Sequence, residues 1–356
     1  MRLESLGWNS LYQSQVTQFE RENYVPARVS EEQKNYFRLL SEPGEYIAEV
    51  SGKLRYGAED RDGLPTVGDW VLAHVRPHEG RATIHRILPR RSKLSRKTAG
   101  DKTSEQIVAA NVDTVFLMSS LNRELNLRRI ERYLTVAWES GARPVILLNK
   151  ADLCDDPERE VLRVEAVANG VPIHVISALT RRGMEALDSY LGPAQTVALL
   201  GSSGVGKSTA VNSLIGEDLQ RVREIREDDD RGKHTTSCRQ LIVLPQGGLL
   251  IDTPGMRELQ LWESKSGLQR TFQDIDSLAG QCRFRDCRHE TEPGCAVSGA
   301  LEGGRLESER FESFRKLERE LAYLARKQDT LAMLAEKKRW KQIHKQHRRR
   351  PHHKPT

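Results

Sequence analysis

Gly201-Ser202-Ser203-Gly204-Val205-Gly206-Lys207-Ser208 follows Asn149-Lys150-Ala151-Asp152 in the chain, and the order of these two strings decides the fold. The first has the glycine, lysine and serine spacing of a phosphate loop. It comes after the apolar run Val197–Leu200 and opens into Thr209, Ala210 and Val211, so it reads as strand, loop, helix. Glycines let consecutive backbone N–H groups turn inward on α and β phosphates, the helix N-terminus adds a favourable dipole, and Lys207 reaches the β and γ oxygens. The Ser208 hydroxyl is placed to ligate Mg²⁺. The second string follows the apolar run Pro144–Leu148, at the carboxyl end where open α/β sheets bind ligands. A carboxylate accepts two hydrogen bonds from the N1–H and exocyclic amine of guanine, and adenine offers no such pair. Asp152 therefore selects GTP over ATP, with Lys150 along the base and Asn149 tying its loop to the phosphate loop.

Three weaker strings sit where a nucleotide site needs them. Asp252-Thr253-Pro254-Gly255 ends an apolar run, where an acid can hold Mg²⁺ through water and the Gly255 N–H can contact a γ-phosphate. Ser177-Ala178 ends the run Val171–Ile176, with backbone N–H groups to offer the guanine O6. Gly232-Lys233-His234-Thr235-Thr236 lies in a charged loop, where Thr235 or Thr236 can complete the Mg²⁺ shell. After Gly255, where a glutamine commonly orients the attacking water, stands Met256, which cannot hydrogen-bond it. Intrinsic hydrolysis is expected to be slow, with the water placed by His234 or by a partner.

Outward from these strings, apolar runs alternate with helical stretches after Asp101, as a parallel sheet with crossover helices requires. Upstream, Tyr46–Val50, Trp70–Val75 and Ala82–Ile87 are short β-rich runs punctuated by Gly57, Gly63, Gly68 and Gly80, the texture of a small barrel. Residues 1–40 read as a weakly structured extension or one short helix. Downstream, Cys282, Cys287, His289 and Cys295 offer three thiolates and one imidazole, a set suited to tetrahedral zinc. Four protein ligands leave no open position, so the site is structural, with Arg283, Arg285 and Arg288 facing outward. From Phe311, the residues Phe314, Leu317, Leu321, Leu324, Leu331 and Leu334 recur at helical spacing.

Together these strings resemble the guanine-nucleotide motifs of translation-factor-related GTPases, except in their order. Ordinary GTPases carry the phosphate loop first and Asn-Lys-x-Asp late; here the guanine-reading strings precede it and Asp252–Gly255 comes last. The chain thus resembles the circularly permuted GTPases, and its β-rich and cysteine-rich flanks narrow the resemblance to the RsgA (YjeQ) family, the ribosome small-subunit-dependent GTPases. The resemblance covers about residues 45 to 330. It implies hydrolysis of GTP to GDP with Mg²⁺, stimulated by the 30S subunit, and one zinc on the four positions above. It also implies that the barrel and zinc module meet 16S rRNA late in the subunit's maturation.

Charge fits such a partner locally. The net charge is +6, yet Lys337–Lys354 holds nine Lys and Arg and no acid, so the remainder is −3. Between Arg81 and Lys97 there are seven Lys and Arg and no acid. Such stretches suit phosphate-rich RNA through counterion release. No apolar run approaches the ~18 residues that cross a bilayer, and no signal peptide is read, so a cytoplasmic, membrane-free monomer is expected. The expected architecture is multidomain α/β: an extension over 1–40, an OB-like β-barrel over 41–100, and a circularly permuted phosphate-loop GTPase domain over 101–275. A zinc-binding α-helical module over 276–335 and a basic tail over 336–356 complete it. A non-catalytic RNA-binding scaffold gated by GTP or GDP stays open, as does an ATPase acting on RNA, which Asp152 argues against.

Overall fold

The structure is a computed structural model that describes residues 1–34, 36–58, 61–97, 105–122, 125–216, 239–252 and 265–348. Two short helices, α1 (Ser10–Ser14) and α2 (Gln18–Asn23), lead into β1 (Val25–Glu32), β2 (Phe37–Ser41) and β3 (Gly44–Val50). A helical turn, α3 (Gly52–Gly57), precedes β4 (Trp70–Arg76) and β5 (Arg81–Ile87). These five strands run in the order β1-β2-β3-β5-β4, and β4 pairs back onto β1, so the sheet closes into a barrel. Only the β3–β5 contact is parallel. Tyr46, Ala48 and Val50 point inward on β3 while Glu45, Ile47 and Glu49 face out, the period of two that a half-buried strand requires.

Residues 1–40 are not an extension, because two of the five barrel strands begin there. Alternation does not reveal β1, since it is buried on both faces from Ala27 to Glu31. Ala27 and Val29 fill the barrel, and Arg28 points the other way, 1% exposed. Its guanidinium donates to the carbonyls of Gly68 (3.2 Å), Asn111 (3.1 Å) and Leu6, and lies 5.6 Å from the Trp70 ring centroid. Burial draws its pKa down to about 10. Leu6, Trp8 and Tyr12 pack around it, with Trp8 and Trp70 edge to face at 4.9 Å. The N-terminal turn is thus part of the core.

The basic stretch from Arg81 has acids from other parts of the chain beside it. Arg81, Arg86, Arg90, Arg91 and Lys93 have carboxylate partners in Glu49, Glu20, Asp69, Asp113 and Glu105. Arg90 also holds the carbonyls of Asp62 and Leu64. Of these, Arg90 is largely buried at 16% side-chain exposure, whereas Arg81, Arg86, Arg91 and Lys93 stay solvent-facing beside their partners.

A hairpin, β6 (Lys93–Lys97) and β7 (Glu105–Ala110), leads to β8 (Thr114–Ser120), α4 (Leu127–Glu139), β9 (Arg143–Asn149) and α5 (Pro157–Glu165). Then come β10 (Ile173–Val175), β11 (Thr196–Gly201), α6 (Lys207–Ile215), β12 (Arg239–Val243) and β13 (Leu249–Asp252). The order is β10-β9-β8-β11-β13-β12, parallel except for β12. Each apolar run read as a strand lies on one of these. The far side of β12 pairs with β1 of the barrel, Glu31 opposite Gln240 and Glu32 opposite Arg239, with an Arg239–Glu32 ion pair at 3.2 Å. Eleven strands therefore form one continuous hydrogen-bonded sheet.

The C-terminal part is helical: α7 (Lys265–Thr271), α8 (Gln273–Ala279), α9 (Ala296–Glu302) and α10 (Ser308–Arg348). Helix α7 lies so close to α4 that a Cβ at Gly267 would sit 2.4 Å from the Thr135 carbonyl oxygen. Leu317, Leu321 and Leu324 of α10 are buried, whereas Leu334 is 50% exposed, so the apolar stripe is covered only along its first turns.

Replacing Arg28 by Met keeps the bulk but leaves the buried Leu6 and Asn111 carbonyls unpaired, while the Gly68 carbonyl keeps the Asn111 side-chain amide at 3.0 Å, so Arg28→Met is expected to destabilise the protein by about 3 kcal/mol. Urea unfolding measures this, and an unchanged midpoint would assign those carbonyls other partners.

Candidate functional site

Because β11, β9 and β13 are parallel, their carboxyl ends lie on one edge of the sheet and deliver Gly201, Asn149 and Asp252 there. Parallel pairing thus restores a neighbourhood that chain order had scattered. Asn149 makes the closest connection. Its side-chain amide donates to the Val205 carbonyl in the phosphate loop at 2.7 Å, and its side-chain oxygen accepts from the Ala178 N–H at 2.9 Å. It is 2% exposed. The contact requires Gly206, which adopts φ +95° and where a Cβ would come within 2.3 Å of the Asn149 amide nitrogen. Lys150 follows in the left-handed region at φ 65°, and Asp152 is exposed on the next turn with its carboxylate accepting from the Ser177 hydroxyl at 2.5 Å.

The sequence reading gave the N–H groups of Ser177 and Ala178 to the guanine O6. Both are donated within the protein, Ser177 to the Arg182 carbonyl at 2.9 Å and Ala178 to Asn149. Here the Ser177 hydroxyl meets Asp152 and the Ala178 N–H meets Asn149. In the phosphate loop, Lys207 opens α6 and its ammonium donates to the carbonyls of Gly201 (2.8 Å) and Ser202 (2.6 Å). Ser203, Gly204, Ser208 and Thr209 are exposed along the loop's rim. Ser208 and Asp252 bring the oxygen donors that Mg²⁺ favours. His234, Thr235, Thr236, Gly255 and Met256 lie outside the described residues.

Two features of α4 were not found from sequence. Asn126 caps the helix by accepting from the Arg129 N–H, and the Arg129 guanidinium donates to the Ser202 hydroxyl at 3.0 Å. Arg128, Glu131 and Arg132 share another face, the i, i+3, i+4 pattern, and bind the C-terminal helices. Arg310 of α10, 7% exposed, pairs with fully buried Glu131 (2.9 Å) and bidentately with Asp274 (2.7 Å each). Arg132 makes a bidentate pair with Glu320 at 2.7 and 2.8 Å. The charges were visible in the sequence; partners nearly 190 residues away were not.

Cys282, Cys287, His289 and Cys295 converge, their ligand atoms all within 4.8 Å of one another. The two sulfurs of Cys282 and Cys295 are 3.9 Å apart, and His289 Nδ1 is 3.6 and 3.5 Å from them. Tetrahedral zinc, with its ordinary bond lengths, sets ~3.8 Å between sulfurs and ~3.5 Å between sulfur and nitrogen, so the set fits zinc. Arg283, Arg285 and Arg288 are exposed on the same loop. Glu292 shapes it, its carboxylate accepting from the N–H groups of Arg288, Glu290 and Thr291 at 2.8, 2.9 and 3.1 Å. Those N–H groups, Arg288's foremost, hold its pKa down to about 2.

The RsgA GTPase family model matches residues 87–262. A protein of Opitutus terrae described as small ribosomal subunit biogenesis GTPase RsgA is 46% identical, over 98% of each chain. The chain belongs to the RsgA GTPase family. A Methanosarcina acetivorans RsgA is 44% identical over 95% of this chain and 90% of its own. Among solved structures, Thermotoga maritima YjeQ aligns with a TM-score of 0.63 and 28% identity, covering 84% of this chain and 99% of its own. YloQ, described as a circularly permuted GTPase, aligns at 0.60 with 21% identity over 86% and 98%, and shares the fold. The permuted order read from this RsgA chain's strings is the order of its strands.

Asn149→Ala removes both side-chain bonds at once and is expected to weaken GDP binding about tenfold or more in a fluorescent-nucleotide titration; unchanged affinity would mean the tie is not needed. Glu292 has a folded pKa below its unfolded one. Its contribution is therefore full above about pH 4.5 and is lost as pH falls toward about 2. Glu292→Gln should lower the resistance of zinc to a chelator at neutral pH and narrow the gap between neutral and acid stability. Equal chelator half-times in both proteins would contradict this.

Proposed function

We propose that this chain hydrolyses GTP to GDP and phosphate in complex with the small ribosomal subunit, and that it acts there in the subunit's late maturation. The observation that carries the reading is the Asn149 tie, which joins a base-reading loop ending in Asp152 to a phosphate loop ending in Lys207 and Ser208. The relatives' names support the ribosomal assignment.

In this reading the N–H groups from Gly201 to Lys207 and the Lys207 ammonium hold the phosphates, and Asp152 accepts from the guanine edge with Lys150 along its face. Ser177 and Ala178 keep Asp152 and Asn149 in register. Ser208, Asp252 and one of Thr235 and Thr236 hold Mg²⁺, which when bound neutralises charge building on the phosphate oxygens. The Gly255 N–H contacts the γ-phosphate. Met256 leaves the attacking water without a side-chain partner, and His234 or a group of the ribosome supplies one. The zinc is structural, fixing the loop that bears Arg283, Arg285 and Arg288.

The 30S partner is read as 16S rRNA met by the barrel, the zinc loop and the basic tail. Lys53 and Arg55 on α3 and the three zinc-loop arginines are exposed cations suited to phosphates. Because β1 pairs with β12, a displacement of β12 on phosphate loss would reach the barrel directly. A non-catalytic scaffold gated by GTP or GDP is the second reading, favoured by Met256.

Phosphate release measured with GTP and with ATP, with and without 30S subunits, separates them. Strong stimulation by 30S with GTP alone is expected. Equal slow rates in all four conditions would favour the scaffold, and preference for ATP would contradict the role of Asp152. His234→Ala is expected to abolish most of the stimulated rate; unchanged turnover would remove His234 from the mechanism.

A further inference from the structure

Three arginines fall within five residues of α4, and their partners separate them. Arg128 pairs with Glu131 at 2.6 Å and reaches Glu307 and Glu309, while Arg132 pairs with Glu320. Arg129 has no carboxylate partner among the described residues. It is exposed, and its contact is the phosphate loop's Ser202 hydroxyl at 3.0 Å. One N–H of five is used there, and the others are available in the fork geometry that suits phosphate.

We propose that Arg129 is a ligand for the terminal phosphate of the bound nucleotide, supplied from within the chain. This rests on the GTPase reading above and adds to it a residue outside the phosphate loop. Position along the loop selects the terminal phosphate. A phosphate-loop lysine reaches the β and γ oxygens, and the Lys207 ammonium lies on the Gly201 and Ser202 carbonyls, so Ser202 marks the β/γ end. Arg129 stands on that same residue. It is also held there in advance: the neighbouring face of its helical turn is clamped to α8 and α10 through Glu131–Arg310–Asp274 and Arg132–Glu320. A guanidinium presented by a fixed turn loses little freedom when an anion arrives, which favours binding. Where Met256 offers the water nothing, a cation at the γ-phosphate adds charge stabilisation of the kind arginines give in phosphoryl transfer.

The test compares affinities for GDP and for a non-hydrolysable GTP analogue in the full-length protein, its Arg129→Ala variant and its Arg129→Lys variant, alongside thermal unfolding of all three. Arg129→Ala is expected to lose about tenfold or more in affinity for the GTP analogue while GDP stays within about twofold. Arg129→Lys should recover part of the loss by restoring the charge without the fork. Unfolding midpoints should be alike, because Arg129 is exposed and forms no ion pair. Equal losses for both nucleotides, or none for either, would overturn the proposal while leaving the GTPase reading intact. Failure of the unsubstituted protein to bind guanine nucleotides at all would overturn both.

Discussion

The Asn149 side chain joins what the chain order separates. In an unpermuted GTPase the phosphate loop and base-reading loops are made in sequence; here the base-reading loops come first and the strand carrying the phosphate loop is inserted later, beside β8. The sheet restores the edge, but a sheet edge alone leaves three loops free to spread. An amide that gives its N–H to Val205 and takes one from Ala178 closes them together, and Gly206 exists in the form it does because any Cβ would collide with that amide. A buried amide with a partner for each end is also costly to disturb, so the tie specifies one arrangement of the loops.

Both flanking modules attach directly to the nucleotide domain. The barrel continues the central sheet through β12, whose Arg239 and Gln240 pair with Glu32 and Glu31 of β1, so the barrel and the nucleotide domain share a hydrogen-bonded ladder. The helical module attaches through α4. Its N-terminal part contacts the phosphate loop with Arg129 and grips α10 with Glu131 and Arg132, and Arg310 carries the contact on to Asp274 of α8. Arg310 sits at the junction over the Phe272 ring, 4.9 Å from its centroid, with Asp274 and Glu131 around it. A buried network of this kind tolerates one geometry well and others poorly, so it fixes how the helical module sits on α4.

Much of this was legible in the sequence, and the misses have physical causes. Strings with fixed spacing, such as Gly201–Ser208 and Cys282–Cys295, were readable because chemistry demands those residue types at those intervals. The apolar runs of the nucleotide domain were readable because strands covered on both faces are continuously hydrophobic. The opening of the barrel was not, since β1 carries Arg28 and Glu31 at buried positions and two of its three partner strands, β4 and β12, lie far along the chain. For the run from Arg81, a count of like charges did not reveal Glu20, Asp69 and Asp113 opposite. Arg129 went unnoticed for the converse reason: it stood among two other arginines, and only their carboxylate partners set it apart.

The central claim is that permuted strings assemble into one site that reads guanine. Calorimetric titration of the full-length protein with GDP and with ADP, with Mg²⁺ present, tests it most directly. The account predicts a single site that binds GDP and at least about a hundredfold preference over ADP, the scale expected when a buried or paired polar group is matched by one base and left unmatched by the other. Equal affinities for the two nucleotides, or binding of neither, would contradict it.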